Sequence, residues 1–123
     1  MHNPPRILIV DDNETNRDIL QTRLGTHGYD LIQAADGEEA LEVARKSLPD
    51  LILLDVMMPK LDGIEVCRHL KSNPETQTIR ILGVTGHPEL APALMTAGAD
   101  LVLTKPLVLE ELESYLTGVV AES

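Results

Sequence analysis

Asp11 and Asp12, Asp55, Thr85 and Lys105 lie far apart along the chain, yet each stands in the same kind of place, within two residues of the end of a run of aliphatic residues. Taken singly, each has a structural reading: either of the first two aspartates as a helix cap, Asp55 as the start of a turn, Thr85 as a capping hydroxyl, Lys105 as a solvated loop lysine. Drawn together they call for another. Three neighbouring carboxylates repel by about 4 kcal/mol per pair at ~4 Å and an effective dielectric of ~20, and one lysine cannot neutralise them. A divalent ion together with Lys105 can, and hard oxygen ligands of this kind suit Mg²⁺. Asp55 would then sit among groups that each stabilise phosphoryl oxygens, which makes it a nucleophile able to form an aspartyl phosphate.

Such a site needs elements that bring the five residues to one edge. Five aliphatic runs, Ile7–Val10, Asp30–Ala34, Leu51–Leu54, Ile79–Val84 and Leu101–Leu103, read as strands. Four are nearly continuous in Ile, Leu and Val, the pattern of strands covered on both faces, whereas the polar second run suits a sheet edge. Helical spacing fills the gaps: 14–25 places Ile19, Leu20 and Leu24 together, 37–48 aligns Ala40, Leu41, Ala44 and Leu48, 63–71 aligns Ile64, Cys67 and Leu70, and 107–120 aligns Leu109, Leu112, Leu116 and Val119. Asp36 with Glu39, and Asp62 with Glu65, are helix-start signals, so Asp36 and Asp62 are expected to be structural. The alternation predicts an α/β fold, a single flavodoxin-like (βα)5 domain over residues 1–123 with its core at about 6–120. Its five-stranded doubly wound parallel sheet is expected in the order 2-1-3-4-5. Ligands of such sheets bind outside the carboxyl ends of the strands, where the five residues fall.

The remaining composition narrows the function. The chain has 123 residues, enough for one core, and with no Phe or Trp that core must be aliphatic. A formal charge of −10, with no basic cluster, disfavours nucleic acid as a partner of this domain. The single cysteine, Cys67, forms neither an internal disulfide nor a CxxC pair and reads as core packing. No signal-peptide stretch or membrane-length apolar run is present, so a cytoplasmic location without membrane insertion is expected. His87 has no second His or Cys at ligand spacing and reads as a loop residue near the site. His2, His27 and His69 read as surface residues, and Met57 and Met58 as packing.

The Asp11-Asp12 pair, the DxxMPxxDG stretch from Asp55 through Met58, Pro59, Asp62 and Gly63, Thr85, the Gly98-Ala99-Asp100 turn and Lys105-Pro106 together resemble a response-regulator receiver domain of two-component signalling. The resemblance covers residues 6–120. It implies that Asp55 is the phosphoacceptor, loaded from a histidine kinase or histidine phosphotransfer protein. It also implies that Mg²⁺ is bound by Asp12, Asp55 and the main-chain carbonyl of Met57, with Asp11 acting through a water. Thr85 and Lys105 would contact phosphoryl oxygens, the Lys105-Pro106 bond would be cis, and Met57 and His87 would influence the lifetime of the acyl phosphate. The domain would not be an enzyme in the ordinary sense, but would catalyse its own phosphorylation and dephosphorylation and signal to an effector protein or a fused output domain. Two features depart from the pattern. Val102 stands where receivers usually carry Tyr or Phe, and the stretch from Thr85 to Gly98 is short and contains Pro88 and Pro92, so a short fourth helix is expected. Other readings are a receiver-like interaction module that is never phosphorylated, which the complete set of site residues counts against and Val102 keeps open, and a small aspartyl-nucleophile hydrolase, which would need an acid where Met57 stands. Flavin binding would need a glycine- and hydroxyl-rich loop where the chain has DDNETN.

Overall fold

The computed structural model describes residues 2–56 and 61–120, with side chains as far as Gly118. Strands β1 (Arg6–Val10), β2 (Asp30–Ala34), β3 (Leu51–Asp55), β4 (Arg80–Thr85) and β5 (Leu101–Thr104) form one parallel sheet in the order β2-β1-β3-β4-β5. Helices α1 (Glu14–Gly25), α2 (Gly37–Ser47), α3 (Gly63–Ser72), α4 (Ala91–Ala97) and α5 (Leu109–Val120) alternate with them. This is the doubly wound flavodoxin-like arrangement that the alternation of aliphatic runs and helical spacing predicts.

Strand alternation divides the core in two. Leu8, Val10, Ile52, Leu54 and Ile81 point to the side covered by α2, α3 and α4, where Ala40, Ala44, Val66, Cys67, Leu70 and Leu94 meet them. Ile7, Ile9, Leu51, Leu53 and Leu82 point to the side covered by α1 and α5, where they meet Leu24, Leu112 and Leu116. Cys67 is fully buried, and burial pushes its thiol pKa up to about 11, consistent with packing rather than reactivity.

Three local features differ from the periodicity. Leu48 does not extend the buried face of α2: the helix stops at Ser47, and Leu48 is 45% exposed with φ 44°. Pro49 follows it and disfavours the helical region for the residue before it. Ile19 is 52% exposed, so α1 docks through Leu24 and the half-buried Leu20. Leu101–Leu103, although continuously aliphatic, are only half-buried, because β5 is the second sheet edge. The fourth helix is short, seven residues after a single 3-10 turn at Pro88–Leu90, as the two prolines require.

Candidate functional site

The register of the sheet brings the acids together. Val10 is paired with Leu54 and Asp55 with Val84, so Asp11 and Asp55 leave the sheet side by side, while Thr85 pairs with Thr104 immediately before Lys105. β3 runs into Asp55 itself, so the backbone of that carboxylate is fixed by the ladder and not by a loop. Behind it, Gly63 donates its N–H to the Val56 carbonyl at 2.9 Å, and a β-carbon there would lie 2.7 Å from both the Asp55 carbonyl oxygen and the Val56 Cα. Only glycine lets α3 start this close to the strand end. Asp62 caps the helix, its carboxylate accepting from the Glu65 N–H at 2.9 Å.

Asp11 and Asp55 are buried and Asp12 is exposed, and one carboxylate oxygen from each lies within 4.8 Å of the others. At that spacing each pair repels by about 3–4 kcal/mol at an effective dielectric of ~20. The cluster is partly held by its surroundings. Asp11 accepts from the Asn13 N–H at 2.9 Å and lies 3.4 Å from the Asn16 amide nitrogen, and Asn13 in turn caps α1. The Lys105 ammonium stands 3.3 Å from Asp55 Oδ2, and the Lys105-Pro106 peptide bond is cis. Among the described residues, three carboxylates and one ammonium leave a surplus of negative charge on hard oxygen donors, a set that fits a small divalent cation.

Thr85 is fully buried, and its hydroxyl oxygen accepts from the His87 N–H at 2.9 Å, which folds the 85–87 turn back on itself. His87 is exposed beside the site, with Nδ1 3.3 Å from Glu89. Val102 is half-buried against the α4 side of the core. Met57, with its neighbours Met58, Pro59 and Lys60, lies outside the described residues. Arg17 is a contributor that sequence reasoning missed: its guanidinium donates to the Asp11 main-chain carbonyl at 2.7 Å and to Gln33 at 2.9 Å, tying the acid-bearing turn to β2. Its only sequence signal is a lone cation one helical turn beyond the acid pair. Beside the cluster, on the α1 and α5 side, opens a recess of about 260 Å³, lined by Ile9, Ile19, Leu20, Leu53, Leu107 and Leu109, with Asp11, Asp55 and Lys105 at its polar end.

A family model described as the response regulator receiver domain matches residues 7–117. Response regulator MprA of Mycolicibacterium vanbaalenii is 45% identical over 109 residues, which are 89% of this chain and 47% of MprA. The chain thus spans about half the length of the curated relatives it matches. Among solved structures, a Chloroflexus aurantiacus protein assigned to the response regulators is 37% identical, with a TM-score of 0.89 over 95% of this chain and 98% of that one. The receiver domain of the Pseudomonas aeruginosa sensor histidine kinase PA1611, solved with a magnesium ion in its active-site cleft, is 28% identical, with a TM-score of 0.87 over 95% of this chain and 98% of that one.

Proposed function

The chain belongs to the response-regulator receiver domain family of two-component signalling, and we propose that it works as a phosphoacceptor, with Asp55 taking a phosphoryl group from a phosphohistidine donor. The observation that carries this reading is the meeting of Asp11, Asp12 and Asp55 within 4.8 Å at the strand ends, with the Lys105 ammonium 3.3 Å from Asp55. In the transfer, an Asp55 oxygen attacks phosphorus as the P–N bond of the donor breaks and its electron pair returns to the imidazole, leaving an acyl phosphate. Asp12, Asp55 and the Met57 carbonyl would hold Mg²⁺, with Asp11 acting through a water. When bound, the ion offsets the carboxylate charge and steadies the phosphoryl oxygens.

The chain's own groups do the rest. Lys105 moves from carboxylate to phosphoryl oxygen without leaving the site. Thr85 turns its hydroxyl hydrogen from the His87 carbonyl, 3.4 Å away, to a phosphoryl oxygen, which loosens the 85–87 turn and passes the change to the start of α4. Val102 is β-branched and too small to act as the usual inward-turning ring, so the signal leaves through residues 84–95, with Met57 and His87 setting the lifetime of the phosphate. Residues 6–120 act as one receiver unit whose donor is a histidine kinase or phosphotransfer protein and whose output is an effector protein or a fused domain. Among the described residues no helix is long and apolar enough to cross a membrane, which is compatible with the cytoplasmic setting we assign to it.

The test is exposure to acetyl phosphate with and without Mg²⁺. The unmodified chain should gain one phosphoryl group only with the ion, Asp55→Asn should stay folded and unlabelled, and the loaded form should show slowed amide exchange chiefly in 84–95. Full labelling of Asp55→Asn would refute the assignment, and unchanged exchange in 84–95 would refute the route.

A further inference from the structure

The short helix α4 is held unequally at its two ends. Toward its C-terminus, Leu94 is fully buried, and a β-carbon on Gly83 of β4 would lie 3.0 Å from its Cδ1, so the bare strand backbone lets the helix rest close on the sheet. Gly98, at φ 117°, ends the helix by donating its N–H to the Leu94 and Met95 carbonyls, and the Ala99 N–H adds a bond to Leu94 at 3.0 Å. Across Gly98 runs the stem of Lys71 from α3: a β-carbon on this glycine would stand 2.5 Å from the Lys71 Cγ. The Lys71 ammonium donates to the Ile79 carbonyl at 2.7 Å and the Gln77 carbonyl at 3.1 Å, and stands 3.8 Å from the Asp100 carboxylate. Asp100 in turn accepts the Ile81 N–H at 2.8 Å and donates its own N–H to the Ile81 carbonyl at 2.8 Å. One end of α4 is thereby tied to α3 and β4 together.

The other end has no such ties. Neither His87 nor Leu90 caps its helical turn with a side chain, and Pro88 and Pro92 bring no N–H. Residues 86–89 are exposed and Leu90 and Ala91 half-buried. Among the described residues, the side-chain hydrogen bonds that tie this entry turn to the sheet are those between the Thr85 hydroxyl and the His87 main chain, at 2.9 and 3.4 Å. The end of the helix nearest Thr85 is thus the one with the fewest bonds to lose, and local opening follows that order.

We propose that α4 is a lever whose C-terminal end is locked by Lys71, Gly98 and Asp100, with Leu94 seated on Gly83 as its bearing, so that a change at Thr85 swings residues 87–93 while 97–100 keep their place. The inference rests on the proposed phosphoacceptor role and reaches α4 through Thr85 and the turn that follows it. Packed interfaces shift between discrete arrangements and do not deform smoothly, so a small displacement at the entry turn is enlarged at the loosely held end and stopped at the locked one. The lock is charge-assisted through Lys71, which makes it the stronger of the two attachments.

The experiment is amide exchange read by NMR before and after treatment with acetyl phosphate and Mg²⁺, with phosphoryl uptake measured separately by intact mass. It compares the unmodified protein, Lys71→Met and Lys46→Met. Lys71→Met keeps an apolar stem over Gly98 but removes the ammonium and its bonds, whereas Lys46→Met removes an ammonium paired with Glu42 within α2. All three should take up the phosphoryl group alike. In the unmodified protein and Lys46→Met, loading should slow exchange at Glu89, Leu90, Ala91 and Ala93 and leave 97–100 unchanged. In Lys71→Met the response should spread to 97–100 and to Ile81. Equal responses at both ends of the unmodified helix would mean that α4 moves as one piece and would overturn the proposal. So would a Lys71→Met helix whose 97–100 amides stay silent on loading; if that variant does not fold, the unmodified protein decides by the first criterion. A loaded protein in which neither end responds would overturn the route through Thr85 and the lever with it, and failure to take up a phosphoryl group would overturn the phosphoacceptor reading on which both rest.

Discussion

The two faces of the sheet are made from alternate residues of the same strands, yet they are closed by different means. On the α2, α3 and α4 side, the described aliphatic side chains from Leu8 and Ile52 to Leu70 and Leu94 belong to one cluster. On the α1 and α5 side there are half as many buried core residues among those described, and the recess of about 260 Å³ opens between helix and sheet. A polar clamp at the rim ties the two helices of the open face together. Glu113 on α5 accepts from Arg23 at 2.9 and 3.1 Å and meets His27 Nε2 at 2.6 Å, and the His27 ring stacks on Tyr29. The difference shows how the site is divided. Asp55 is fixed from the closed face, through β3, Gly63 and the cap of α3. Its partners come from the open face: Asp11 and Asp12 lead into α1, and Lys105 leads into α5. A nucleophile held from one face thus meets cationic and acidic partners carried by the elements of the other.

Neighbouring leucines on β3 offer the largest test of this contrast. Leu54 is fully buried on the closed face and Leu53, 2% exposed, lines the recess on the open one. Leu54→Ala should cost about 3–5 kcal/mol and Leu53→Ala about 2–3 kcal/mol, because a side chain beside an existing gap loses fewer contacts when truncated. Urea unfolding of both variants measures the difference, and equal losses or the reverse order would show that the faces are packed alike.

A smaller effect is expected at the clamp. Hydrogen bonds from Arg23 first, and then from His27, hold the Glu113 carboxyl below the usual carboxylate range. A carboxyl depressed on folding contributes stability that is complete above its unfolded pKa and is lost as pH falls through the folded one, so the clamp weakens on the acid side of about pH 4.3. Glu113→Gln should therefore lower Tm slightly at neutral pH and flatten its decline in that acid window, the group being screened by solvent at the rim. A Tm–pH curve for Glu113→Gln that parallels the unmodified protein's throughout would mean that the clamp does not couple α1 to α5.

Much of this was legible in the sequence, for identifiable reasons. Strand ends and acids coincide because parallel strands place their carboxyl ends on one edge, so Asp11, Asp55, Thr85 and Lys105 could be grouped before any coordinates. The caps at Asp36 and Asp62 are local hydrogen bonds with local signatures. What escaped was set by contacts between distant segments. Arg17 matters because the Asp11 carbonyl and Gln33 come within its reach. Ile19 fits the helical period of α1 but lies beyond the sheet's cover, and Leu48 fits that of α2 but precedes a proline.

The central claim is that the buried carboxylate at the end of β3, and none of its acidic neighbours, receives the phosphoryl group. Its most direct test is to treat the chain with acetyl phosphate and Mg²⁺, trap any acyl phosphate by borohydride reduction to the alcohol, and locate the reduced residue by peptide mass spectrometry. The account predicts reduction at Asp55 alone, and only when Mg²⁺ is present. Reduction at Asp11 or Asp12, or at Asp55 to the same extent without the ion, would contradict it.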